Sequence, residues 1–369
     1  MKKYDVAAYV WPAYTGDEPR THIFWSKGFG EWETLMEATP SFEGHTWPRK
    51  PLWGYVNEAN PAVMEMEINE AVRHGVNVFI YDWYWFDRRP FLENCLNDGF
   101  LKARNNKDMK FYLMWANHNV DHLWDRRLAA IEPEIIWRGT VNRAEFEEMA
   151  NRMIDKYFSI ENYYRIDGKP VYMIYDIENL VRGFGNIENT RAALDWLREA
   201  CVKKGHKGLH LQLLIRGDRK PHQEAVGEDI TYQELTARLG ADSVTCYHMA
   251  QLAGFKSVDY ETQMNAAEAV WKQIDAEYTI PFFPNVACGW DNSPRRVYKP
   301  KIVTGNTPDK VETALWHAKE YIDTHPLPVN LITVNSWNEW TEGGYLEPDD
   351  LYGYGYLEAV KKVFMDSQE

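Results

Sequence analysis

The sequence predicts an α/β protein: one (β/α)8 TIM barrel with long βα loops, spanning residues 1–369 as a single domain. Three observations predict it. Eight short runs are rich in β-branched and aromatic residues, segments of helical periodicity separate them, and no linker or shift of composition marks a second domain. An apolar share of 45% over 369 residues is ample for the core.

The expected strands are Tyr4–Val10, Val76–Asp82, Lys110–Trp115, Pro170–Asp176, Leu209–Ile215, Asp242–Tyr247, Pro281–Ala287 and Val329–Ser336. A long connection from Trp11 to Glu58 follows the first. Asn60-Pro61 then opens a helix, with a capping side chain ahead of a proline whose missing N–H costs nothing there, and Gly75 ends it. After the third strand a second long connection runs from Ala116 to Asn142. Beyond it Phe146, Met149, Ala150, Met153, Ile154 and Tyr157 form one apolar stripe. Gly205 stops the helix before the fifth strand. Met264, Ala267, Trp271, Ile274 and Tyr278 form the stripe after the sixth. Thr307-Pro308 opens the helix carrying Val311, Leu315, Ala318 and Ile322 after the seventh. Strands alternating with helices pair in parallel through right-handed crossovers, and eight of them close into a barrel. Loops as long as these two usually carry function.

A net charge of −14 argues against nucleic-acid and anionic-membrane partners, which such a surface repels, and leaves a neutral carbohydrate open. Cys95, Cys201, Cys246 and Cys288 lie far apart without CxxC spacing, so buried thiols are expected rather than disulfides or zinc. No apolar run approaches the roughly 20 residues that span a bilayer. Lys2 and Lys3 are followed by Asp5, not by the apolar stretch of a signal peptide. As written, the chain is expected in the cytoplasm; a removed leader would make it periplasmic or secreted. His118 and His122 flank Asp121 with helical metal-pair spacing, but with no third ligand in place neither a metal nor a cofactor is expected.

The sharper signal is where the tryptophans fall. Thirteen of the 16 sit at strand C-terminal ends or in the loops that follow, where barrels of this kind place their sites. Among them are Trp11, Trp32, Trp83, Trp85, Trp115, Trp124, Trp290, Trp337 and Trp340. Indoles pack on the flat faces of pyranose rings, and hydroxyls need polar partners nearby. The same strand ends offer Asp82, Asn117, His118, Asp176, Arg216, Tyr247, His248, Asp291, Asn335 and Asn338, and Glu31 lies in a glycine- and aromatic-rich loop. Glycosidic cleavage needs two carboxyls, and Glu339 and Glu342 stand three apart after the eighth strand, a spacing that turns both side chains the same way. Pro294-Arg295-Arg296, with Lys299 and Lys301, suits phosphate or a sugar acid, but more often such a run is a solvated loop.

Ordered segments along nearly the whole chain resemble the WbsX-type, glycoside hydrolase family 99-like proteins. They are Gly28-Phe29-Gly30-Glu31-Trp32, Phe42-Glu43-Gly44-His45, Tyr81–Phe86, Trp115-Ala116-Asn117, Trp290–Arg296, Trp337–Pro348 and Gly355-Tyr356-Leu357-Glu358. The resemblance implies a barrel and, from the Asn-Glu-Trp-x-Glu motif matched by Asn338–Glu342, a retaining endo-acting glycosidase. In such an enzyme the first glutamate, here Glu339, would deprotonate the sugar 2-hydroxyl, which attacks the anomeric carbon. The second, here Glu342, would protonate the leaving group. Relatives read Trp-Ala-Asn-Glu-Asn-Trp where this chain has Trp115-Ala116-Asn117-His118-Asn119-Val120, which bears on sugar specificity. WbsX-type proteins have also been labelled glycosyltransferases. Two alternatives to a hydrolase therefore stand: a glycosyltransferase of polysaccharide synthesis, for which no nucleotide-binding loop or Asp-x-Asp motif appears, and a non-catalytic carbohydrate-binding barrel.

Overall fold

The computed structural model describes residues 3–128, 134–217 and 220–366; part of the connection after the third strand, residues 129–133, lies outside them. Eight parallel strands form the barrel: β1 Asp5–Val10, β2 Val78–Phe86, β3 Lys110–Trp115, β4 Lys169–Ile174, β5 His210–Leu214, β6 Ser243–Thr245, β7 Asn285–Ala287 and β8 Leu331–Asn335. They run in the order β6-β5-β4-β3-β2-β1-β8-β7. A parallel bridge between Val244 of β6 and Phe282, just ahead of β7, joins the two ends. There the Val244 N–H donates to Pro281 O and the Phe283 N–H to Val244 O, both at 2.9 Å. Every strand thus lies beside its neighbour in the chain, as a right-handed βαβ series requires.

Helices α1 Pro61–Arg73, α2 Arg143–Met153, α3 Ile177–Phe184, α4 Ile187–Lys203, α5 Tyr232–Leu239, α6 Tyr260–Glu277, α7 Pro308–Thr324 and α8 Gly355–Phe364 cover the strands. After β2 the crossover is a π turn and a 3-10 turn, Cys95–Gly99 and Phe100–Lys102. Asn60 caps α1 by accepting from the Ala62 N–H. Thr307 precedes Pro308 but makes no side-chain cap bond. Gly75 and Gly205 each hold φ +90°, the left-handed turn that ends α1 and α4.

Side chains alternate along each strand, and the barrel interior they fill is partly polar. The Tyr112 hydroxyl donates to Gln212 Oε1 at 3.1 Å, Thr245 and Thr333 meet at 3.1 Å, and Asn285 Nδ2 donates to Thr333 Oγ1 at 3.0 Å. β2 outruns the barrel: its end pairs with Arg89–Phe91 as a hairpin, Tyr84 opposite Phe91. The expected end of this strand at Asp82 is therefore four residues short, and the difference decides where its tryptophans point. Among the described residues no helix is long and apolar enough to cross a membrane.

Candidate active site

The chain leaves β8 and doubles back. Asn338–Glu339 pairs antiparallel with Gly344–Tyr345, and a single 3-10 turn, Trp340–Glu342, joins them. Gly343 ends the turn at φ +70°, where a Cβ would sit 2.6 Å from the Trp47 ring and 2.9 Å from Asp291 N. Glycine is required there, and the Asp291 N–H bonds Glu342 O at 2.6 Å across the gap. The turn sends its side chains two ways. Trp337, Asn338 and Trp340 point behind the barrel rim, while Glu339 and Glu342 point together into its mouth.

One guanidinium gathers the acids. Arg295 Nη2 donates to Glu339 Oε1 at 2.8 Å and Nη1 to Glu342 Oε1 at 2.6 Å. Its Nε and Nη2 hold Glu31 as a bidentate pair at 2.6 and 2.8 Å. The guanidinium lies 5.2 Å from the Trp11 ring, whose Nε1 also donates to Glu31. Three carboxylates around one cation leave excess negative charge in a buried place. Burial accordingly pushes the Glu339 and Glu342 carboxyls up from the ordinary range, with Arg295 opposing. Glu339 also meets the Tyr247 hydroxyl at 3.0 Å, and the same hydroxyl stands 3.1 Å from Asp82 Oδ2. A single hydroxyl hydrogen cannot serve two carboxylates. Burial pushes the carboxyls of both Asp82 and Glu339 up from the ordinary range, with the Tyr247 hydroxyl opposing at Asp82.

These groups line a cavity of about 350 Å³ at the C-terminal end of the barrel. Trp11, Asp82, His118, Asp176, Arg216 and Tyr247 line it with Glu339 and Glu342, as the sequence places them. Its other walls are Tyr84, Met114, Ala116, Trp124, Tyr175 and Arg295. His118 Nδ1 must donate to the Asn119 carbonyl at 2.8 Å, and burial pushes its pKa down, so the ring is neutral with Nε2 an acceptor. Arg216 pairs with Asp176 at 3.2 Å and lies over the Tyr175 ring. Glu342 also borders two adjoining cavities, one walled by Phe255 and Trp290, the other by Asn292 and Arg296.

Several expected pocket residues lie elsewhere. Asp82 and Tyr84 face inward on β2, so Trp83 and Trp85 face the helices: Trp83 Nε1 donates to Glu93 at 2.7 Å and Trp85 Nε1 to Glu145 at 3.0 Å. Trp115 packs on Phe146 of α2 by the same alternation. Trp337 meets Phe79 behind the wall, Trp340 stacks on Tyr345, and Trp32 stacks on Tyr14. Asn338 ties Trp11 N–H to Glu58, and Asn117 ties down the Asp176 backbone, so both brace the rim. Glu31 is 0% exposed and lies beneath Arg295. Asp291 bonds His45 Nε2 at 2.7 Å in a neighbouring cavity that Trp290 also borders. Trp83→Phe is therefore expected to leave ligand binding unchanged and to cost only about 1 kcal/mol in chemical denaturation, because Glu93 keeps Arg152, Tyr157 and Asn97 as donors.

Arg295 is the main residue for which a solvated loop is the wrong reading. Arg296 beside it is exposed, and nothing in the tripeptide distinguishes the two. Tyr84 was legible from the alternation once β2 is extended to Phe86.

A family model described as Glycosyltransferase WbsX matches residues 6–360. The chain is 26% identical over 347 residues to the protein WxcX of Xanthomonas campestris pv. campestris strain B100, and 27% over 347 residues to WxcX of strain ATCC 33913. Each alignment covers 94% of this chain and 47% of the relative, so the chain spans about half the length of the curated relatives it matches. Among solved structures, one described as a glycoside hydrolase-like protein superposes with a TM-score of 0.64 at 15% identity, covering 99% of this chain and 94% of the other. The GH99 endo-α-mannosidase of Bacteroides thetaiotaomicron, solved with bis-tris-propane, gives 0.60 at 13% identity, covering 100% and 99%. At such identities the likeness is one of fold.

Proposed function

Because the chain belongs to the Glycosyltransferase WbsX family and has a glycoside hydrolase-like barrel, we propose that it cleaves glycosidic bonds in an oligo- or polysaccharide with Glu339 and Glu342. The observation that carries this reading is the pair itself: two glutamates on one turn after β8, held by adjacent nitrogens of Arg295, opening onto an aromatic-walled cavity. Trp11, Tyr84, Trp124 and Tyr175 offer faces and edges to a sugar ring, and Asp176, Arg216 and His118 Nε2 offer partners to its hydroxyls.

Roles follow from what each carboxylate touches. Glu339 accepts from both Arg295 and Tyr247, contacts that favour its charged form and suit a base. Burial pushes both carboxyls up, Glu339 the further, and Glu342 also accepts from Arg295, so charge does not rank them. Glu342 takes the acid role for its openness to the cavity, its side chain 20% exposed against 2% for Glu339. With a 2-hydroxyl sugar, Glu339 takes the hydroxyl proton as O2 attacks the anomeric carbon, and the departing oxygen takes the Glu342 proton. Water then attacks the anomeric carbon, giving its proton to Glu342, while O2 regains its proton from Glu339. This sequence of steps rests on the family resemblance.

The family's description favours a second reading in which a sugar hydroxyl replaces water as acceptor. A polysaccharide digestion panel with NMR analysis of the products separates them. New reducing ends support hydrolysis; elongated glycans, or thermal stabilisation by one nucleotide sugar, support transfer. Binding with neither outcome across the panel sinks both. With any cleaved substrate, kcat/KM should fall as pH rises through the raised Glu342 pKa, because the acid loses its proton. A profile between about pH 4 and 9 reads that limb, which should lie above the ordinary carboxyl range.

A further inference from the structure

Behind the turn that carries Glu339 and Glu342, three other glutamates converge. Glu58 ends the connection before α1, Glu67 lies within α1, and Glu347 follows the turn; they are 0%, 0% and 3% exposed. One carboxylate oxygen of each lies within 4.8 Å of those of the other two. Each takes an N–H from the back of the turn. Asn338 Nδ2 donates to both oxygens of Glu58 at 2.9 Å, Trp337 Nε1 to Glu67 Oε2 at 3.1 Å, and Trp340 Nε1 to Glu347 Oε2 at 2.5 Å. The Cys95 thiol adds a contact to Glu58 Oε2 at 3.6 Å.

These donors are neutral, and they leave the trio incomplete. Glu67 Oε1 and Glu347 Oε1 are buried without any hydrogen-bond partner. No cationic side chain stands among the main influences on the three: burial comes first for each, neighbouring carboxylates add to it at Glu58 and Glu67, and the Trp340 N–H opposes it at Glu347. Like charges brought this close inside a protein need something positive among them. The possible ligands are oxygens from three carboxylates. That set suits a hard divalent ion rather than zinc or copper, and bidentate glutamates can fill a coordination shell where room for water is scarce.

We propose that Glu58, Glu67 and Glu347 form a binding site for one hard divalent cation, of the calcium or magnesium class, placed behind the Trp337–Glu342 turn. Its effect on the turn is positional. The ion fixes three carboxylates, which fix Trp337, Asn338 and Trp340, and those residues alternate with the two glutamates facing the cavity. No part of this depends on the reaction that the cavity performs.

The test uses the full chain and no substrate. Elemental analysis of the purified protein should find about one divalent ion per chain. After chelator stripping, thermal denaturation with calcium, magnesium or manganese chloride, against sodium chloride at matched ionic strength, should show a rise in Tm. At a hundredfold excess over Kd the rise should be roughly 3–4 °C. Glu67→Gln should lose the bound ion and the rise, and Glu347→Gln should do the same should the first variant not fold. Protein that carries no divalent ion and whose stripped form responds to none of the three overturns the proposal; the trio then shares protons instead. A full ion content and unchanged rise in Glu67→Gln also overturns it, because the ion lies elsewhere.

Discussion

Glu342→Gln is expected to lower turnover about 10³-fold while leaving sugar binding within a few-fold of the parent. The amide keeps the shape of the side chain and can still accept from Arg295 Nη1, so the cavity walls stay in place. What it lacks is a proton to give. A substrate whose leaving group needs no protonation, such as an activated aryl glycoside, should recover much of the first step. Glu339→Gln should lose turnover on a similar scale and show no such recovery, because an amide cannot take the proton of an attacking hydroxyl. The pair of leaving-group responses thus assigns acid and base separately. Full turnover in both variants on a natural substrate would place the chemistry on other residues.

Much of this site was legible in the sequence, and most of the failures are errors of side-chain direction. Strand runs such as Phe79-Ile80-Tyr81 and Leu331–Val334 identify themselves by β-branched and aromatic content, and the alternation of strand and helix leaves few architectures. Glu339 and Glu342 face the same way because a three-residue step on a tight turn repeats direction. By the same rule Trp337 and Trp340 repeat direction too, away from the cavity, so the indoles that wall it beside the pair are Trp11 and Trp124 instead. The tryptophans of β2 were misplaced by parity: with the strand ended at Asp82, Trp83 and Trp85 read as rim residues, whereas four more strand residues turn them toward α2. Glu58, Glu67 and Glu347 carried no signal because they come from a loop, a helix and a hairpin with no common spacing. Only folding brings them together.

Arg295→Met is expected to damage both folding and chemistry, and pH separates the two. The side chain is 11% exposed and serves Glu31, Glu339 and Glu342 at once. Removing one partner from a buried charged network costs about 3–5 kcal/mol at neutral pH, because the carboxylates left behind are neither paired nor hydrated. The sign of the pH dependence follows from the raised Glu339 and Glu342 carboxyls, which Arg295 pulls down. Without it their folded-state values rise further, so in the window above the ordinary carboxyl range the native state binds more protons than the unfolded one. Stability then falls as pH rises through that window, more steeply in the variant than in the parent. Urea denaturation at about pH 5 and pH 8 should show a small deficit at the lower value and a large one at the higher. Arg295→Lys keeps the charge but cannot span three carboxylates, so it should restore most of the stability at pH 8 and little of the activity. A deficit equal at both pH values would mean that Arg295 acts by packing against Trp11 and not by charge.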